Sequence, residues 1–87
     1  MAVYIDNFHE TGAGDYRRMK MSHMIADSTD ELLQMADKIG VNRRWIQHAG
    51  TSHEHFDVCK SHRMKAIKFG AIPITWMELG RKVAARK

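Results

Sequence analysis

One cysteine, one proline and no long apolar run set the first limits on this 87-residue sequence. A lone Cys59 cannot close an intrachain disulfide, so the chain is not a disulfide-stapled scaffold, and a reducing compartment suits it. No stretch approaches the ~20 apolar residues of a membrane span. The opening "MAVYIDNFHE" has neither the basic leader nor the apolar core of a secretory signal. A cytoplasmic protein without a membrane partner is the expectation. Acidic residues are scarce in the carboxyl-terminal third: residues 58–87 hold Glu78 and eight bases, a net +7, whereas residues 1–57 hold nine acids and six bases, a net −3. A basic third of this kind can meet phosphate, nucleic acid or an acidic protein surface. The plainer reading makes Lys65, Lys68, Arg81, Lys82, Arg86 and Lys87 the solvated faces of two helices.

What is present is the composition of a globular protein, 44% hydrophobic and 28% charged. At this length one domain, residues 1–87, buries a modest core, and a homo-oligomer would add to it. "AVYID" alternates as a short strand ending at Asp6, followed by the polar loop "NFHETGAGDYRR", which lacks the Gly-Lys-Ser/Thr of a phosphate-binding loop. "KMSHMIAD" reads as a second strand. "STDELLQMADKIG" reads as a helix, with Ser28 and Glu31 as a capping box, Leu32, Met35, Ala36 and Ile39 at helical spacing, and Gly40 as its stop. "RRWIQHA" is expected to be a third strand, a helix to run from about Asp57 to Phe69, and "AIPIT" to be a fourth strand. Thr75 and Glu78 open a last helix. Strands alternating with helices predict an α/β fold: a small, mainly parallel sheet of three to four strands with about three helices. In such sheets ligands sit beyond the carboxyl ends of the strands, here Asp6, Asp27 and the loop with His55 and Asp57.

Asp6 and Asp27 each close a strand, and side by side they would repel unless a cation such as Mg²⁺, Arg17, Arg18, Lys60 or Arg63 joined them. The plain role of Asp27 is a charge at a helix amino end. His23 shares a strand face with Met21 and Ile25, which predicts a half-buried imidazole, either hydrogen-bonded in the core or reaching the edge as an acid/base group. His9, His48 and His62 read as surface residues. "TSHEHFDVCKSHR" contains the His-x-His-x-Asp spacing of metallo-β-lactamases, but Val58 stands where that motif needs histidine, and the motif's other ligands are spread over a far longer chain. An independent zinc site would draw on His53, His55, His62 and Cys59, against which stands the absence of a second cysteine. Cys59, in the first turn of a helix, is either a nucleophile or a small apolar residue. Trp45, Trp76, Phe69 and the methionines are expected to fill a core or a subunit interface.

In order, "VYID", "SHMIAD", "RRWIQ", "HFD" and "GAIPI" resemble a small bacterial and phage family, domain of unknown function 4031, in its phage-type form. The resemblance spans nearly the whole chain. It implies recurrent polar residues at Asp6, His23, Asp27, Gln47, His55, Asp57 and Arg63, and it implies no reaction. Phe56 stands where the family usually has tyrosine, and the pattern begins at His55, leaving out His53.

These residues together predict an enzyme-like site for a small phosphate-bearing or nucleotide-like ligand, in the host cytoplasm if the chain is phage-encoded. Asp6, Asp27 and Asp57 would hold a divalent ion, Mg²⁺ ahead of zinc, or act as base. His55 and His23 would move protons, and Arg17, Arg18, Gln47, Lys60 and Arg63 would hold the ligand. The rival expectation is a non-enzymatic accessory protein that binds a host protein or nucleic acid through its basic third.

Overall fold

The computed structural model describes residues 2–8, 15–16 and 19–85. In chain order they form β1 (Val3–Ile5), β2 (Asp15–Tyr16), β3 (Met19–Ala26), α1 (Thr29–Ile39), a 3-10 turn (Arg43–Trp45), β4 (Phe56–Cys59), α2 (Lys60–Lys68), β5 (Ile72–Pro73) and α3 (Trp76–Ala85). The α/β class is as the sequence predicts, but the sheet is mixed and largely antiparallel. β3 is its spine, pairing antiparallel with β1, β2 and β4, and among the described residues only β1 and β5 pair in parallel.

That direction of pairing corrects one expectation. In the β1–β3 register Val3 faces Ala26 and Ile5 faces Met24, so the residues that close the two strands lie at opposite ends of the ladder. Asp6 donates its backbone N–H to the His23 carbonyl, while Asp27 donates its own to Ala2. A parallel sheet would have brought the two carboxylates together; this one separates them.

Two further elements differ from the sequence reading. "RRW" is a 3-10 turn and not a strand, because the Asn42 side chain caps it by accepting the Arg44 N–H, and Arg43 forms a two-pronged pair with Asp37 of α1. What survives of the third strand is one antiparallel bridge between Gln47 and His55. The residues before Lys60 are strand β4 and not the start of a helix, since Phe56 and Val58 alternate into the core opposite Met24 and Ser22.

The helix caps are as their sequences dictate. Ser28 accepts the Glu31 N–H, and Gly40 takes the left-handed conformation (φ 83°) that ends α1. At α3 the exchange is reciprocal: Thr75 Oγ1 accepts the Glu78 N–H and Glu78 accepts the Thr75 N–H, each at 3.1 Å.

The core lies on one face of the sheet, where Val3, Ile5, Met24, Ala26, Phe56 and Val58 meet Leu32, Met35, Ala36 and Ile39 of α1 and Ala66 of α2. Trp45, Phe69 and Trp76 are exposed and take no part in it. A chain of this length closes its core with aliphatic side chains and one phenylalanine, which leaves the bulkiest rings outside. The other face carries Tyr4, His23, Ile25 and Asp57, and α3 lies over it, with Lys82 Nζ 4.1 Å from the centre of the Tyr4 ring. Among the described residues no helix is long and apolar enough to cross a membrane.

Candidate functional site

Between this second face and α3 runs a groove of about 610 Å³, lined by His23, His48, His53 and His55 on one side and by Leu79 and Val83 on the other. Strand alternation accounts for its chemistry. Phe56 and Val58 go to the core, so Asp57 between them must face the groove. His23 lies directly across from Asp57 in the β3–β4 register, and the Gln47–His55 bridge places His55 beside the pair.

At the back of the site Asp6 is wholly inaccessible to solvent. Its Oδ1 accepts the backbone N–H groups of His23 (2.8 Å) and Phe8 (3.1 Å), and its Oδ2 lies 2.8 Å from His23 Nδ1. A buried carboxylate demands such donors, so His23 Nδ1 donates to Asp6 and Nε2 points outward. The Phe8 ring packs 4.8 Å from the imidazole, centre to centre.

In front, Asp57 Oδ1 lies 3.8 Å from His23 Nε2 and 3.3 Å from His55 Nε2, while Asp57 Oδ2 accepts Gln47 Nε2–H at 2.6 Å. His55 Nδ1 donates to the His53 carbonyl at 2.8 Å. The hydrogen bond to Asp57 raises the pKa of His55 above its ordinary value; burial opposes the rise and the His53 carbonyl adds to it. The same bond holds the Asp57 carboxyl below its ordinary value against the opposing effect of burial, with the His55 charge and Gln47 assisting. Without another cation, the two form an ion pair.

The loop carrying His55 is tied down from behind. Glu54, nearly buried, accepts Thr29 Oγ1–H (2.5 Å) and the Gly50 N–H (3.1 Å), which fixes residues 50–54 against the start of α1. His48 has a positive φ of 54° at the head of this turn, and its ring stacks 6.0 Å from that of His55.

Of the residues singled out in the sequence, Asp6, His23, Gln47, His55 and Asp57 come together. Asp27 does not: it accepts the Ala2 N–H at the far end of β1. Arg63 donates Nε–H to the Asp6 carbonyl at 2.9 Å, a tie between α2 and the back of the site, and Lys60 is exposed at the start of α2. Arg17 and Arg18 lie outside the described residues. Cys59 sits within 3.2 Å of His62 Nδ1 and 3.1 Å of Ser61 Oγ; burial pushes its thiol pKa up, and hydrogen bonds from Ser61 and His62 outweigh that and lower it. The sequence reading passed over His48, which lines the groove, and Glu54. It also missed the His53 carbonyl, and a backbone group leaves no signature in residue types.

His23, His55 and Asp57 each offer one ligand atom, all within 4.8 Å of one another, the one group of three or more metal-ligating side chains so placed among the described residues. No curated protein and no solved structure matches the chain. The family model described as "Protein of unknown function (DUF4031)" matches residues 3–86, and the chain belongs to that family.

Proposed function

We propose that the chain is a hydrolase whose site, on the groove face of the sheet, handles a small phosphate-bearing or nucleotide-like ligand and cleaves a phosphoester or N-glycosidic bond. The observation that carries this reading is the meeting of His23 of β3 with His55 and Asp57 of the neighbouring segment, the two histidines lining one open groove and each of the three held by a further partner. Pre-set carboxylate and imidazole groups of this kind activate water for attack on such a bond. His48 and His53 line the same groove and could donate to an anionic group.

The rival, a binder that uses the basic carboxyl-terminal third as one surface, gains less support from the fold. Lys65 and Lys68 belong to α2 on the core side of the sheet, whereas Arg81 and Lys82 belong to α3 on the groove side.

The test is a hydrolysis panel of aryl phosphomonoesters and phosphodiesters, nucleotides and nucleosides, run with the wild-type chain and with His55→Ala and Asp57→Ala. Turnover of one substrate class by the wild type, reduced on the order of 10²–10⁴-fold by either substitution, is expected of a lost acid or base. Equal rates for all three proteins would remove the site assignment.

A further inference from the structure

We propose that His23 Nε2, His55 Nε2 and Asp57 Oδ1 form a three-ligand site for one divalent transition-metal ion of the zinc class. The inference rests on the hydrolase reading for its purpose, and it supplies that site with its water-activating group.

The donor set comes first. Two imidazole nitrogens and one carboxylate suit zinc and its first-row neighbours, whereas Mg²⁺ and Ca²⁺ take oxygen ligands almost throughout. The Mg²⁺ expected from three aspartates loses its basis here, because Asp27 is elsewhere and Asp6 spends both oxygens on His23 and Phe8.

Spacing agrees. Ligands about 2.0–2.2 Å from a tetrahedral ion lie roughly 3.3–3.6 Å from each other. Asp57 Oδ1 stands 3.3 Å from His55 Nε2 and 3.8 Å from His23 Nε2, and all three ligand atoms lie within 4.8 Å of one another, so the two imidazoles need to close by no more than about 1.5 Å to reach tetrahedral separations.

The outer partners weigh most. The His53 carbonyl can only accept, so His55 carries its proton on Nδ1, and the buried Asp6 carboxylate does the same for His23. Both histidines therefore turn an Nε2 lone pair toward one point when neutral. Gln47 holds the other oxygen of Asp57, leaving Oδ1 for that point. Metal-binding histidines carry this kind of support on the remaining ring nitrogen, commonly from a carboxylate or a backbone carbonyl. A simple His55–Asp57 ion pair would have no use for a second histidine, oriented by its own buried carboxylate, aimed at the same oxygen. Three protein ligands leave a fourth position facing the groove, where a bound water would lose its proton near neutral pH and attack a substrate.

The test is calorimetric titration of chelator-treated full-length protein with Zn²⁺, and with Co²⁺ followed by visible absorption. One ion per chain and a tetrahedral Co²⁺ spectrum are expected. Binding should weaken about 100-fold or more in His55→Ala and Asp57→Asn, weaken about 10–100-fold in Asp6→Asn, and be unchanged in Asp27→Asn. Circular dichroism confirms that each variant is folded, and His23→Gln stands in should Asp6→Asn fail to fold. No binding by folded wild type would overturn the inference, and so would binding indifferent to His55→Ala and Asp57→Asn, or hydrolysis that persists unchanged after chelation. One-to-one binding that follows the variants, in a protein that cleaves nothing on the panel, would uphold the metal site and remove the hydrolase reading instead.

Discussion

Asp6 and His23 are joined twice, through the His23 backbone N–H to Oδ1 and through His23 Nδ1 to Oδ2, both at 2.8 Å, and the carboxylate they share is sealed from solvent. This double attachment fixes both the strand and the ring it carries. In wild type the imidazole nitrogen resonances should report a proton on Nδ1; Asp6→Asn, which can turn an amide N–H toward that nitrogen, should move the proton to Nε2. Asp6→Ala should destabilise by about 3 kcal/mol, since it strands buried donors, and lower Tm by roughly 10–20 °C in a domain of this size. A wild-type His23 protonated on Nε2 alone would contradict the stated geometry.

Asp27→Asn provides the contrast. Asp27 is exposed at the opposite end of β1, where it accepts the Ala2 N–H at 2.8 Å. Its substitution should cost less than about 1 kcal/mol, the range of surface changes, and leave any hydrolytic rate at the wild-type value. A loss of activity comparable to that of Asp57→Ala would mean that the two ends of the ladder communicate.

The His55–Asp57 pair gives metal-free protein a bounded pH dependence. The folded pKa of His55 lies above its ordinary 6.5, so its contribution is complete below about 6.5 and is lost as pH rises through the folded value. Asp57 lies below its ordinary 3.8, so its contribution is complete above about 3.8 and is lost as pH falls through the folded value. The stability gap between wild type and a His55→Gln/Asp57→Asn double variant should therefore be widest between about pH 4 and 6.5 and narrow on both sides. Urea melts across pH 3–9 measure it, and a gap flat with pH would show that the pair is not charged.

The α3 helix is held by its cap more than by burial, as none of its described residues is buried. Thr75→Ala should cost about 1 kcal/mol, the usual value of a cap, and the loss should fall on α3 alone. Amide exchange is the suitable measurement. Faster exchange across residues 76–85 with α1 unchanged is expected; uniform acceleration would mean that α3 is integral to the core.

Helices were more legible in the sequence than the sheet for a physical reason. Ser28, Glu31, Thr75, Glu78 and Gly40 act on the backbone within one turn, so their meaning is local. Whether β1 and β3 run parallel or antiparallel depends on contacts between distant segments, and reading them as parallel brought Asp27 into the site. Asp6, His23, His55 and Asp57 are recognisable as residue types and Gln47 through the family resemblance alone, but His23 meets Asp57 only through the β3–β4 register. "RRWIQ" looked strand-like by composition, and Asn42 and the Asp37–Arg43 pair turned it instead.

The alternation along β3 and β4 has an evolutionary consequence. Met24, Phe56 and Val58 serve the core, and His23 and Asp57, their immediate neighbours in sequence, serve the groove. Point substitutions at these positions can change the polar groups on that face while the residues that fold the chain stay in place. Insertion or deletion of one residue within β4 would exchange the two sets, putting a carboxylate into the core and a phenyl ring into the groove. The groove lining can therefore vary by substitution, while the spacing of "HFDVC" is held by the need to fold.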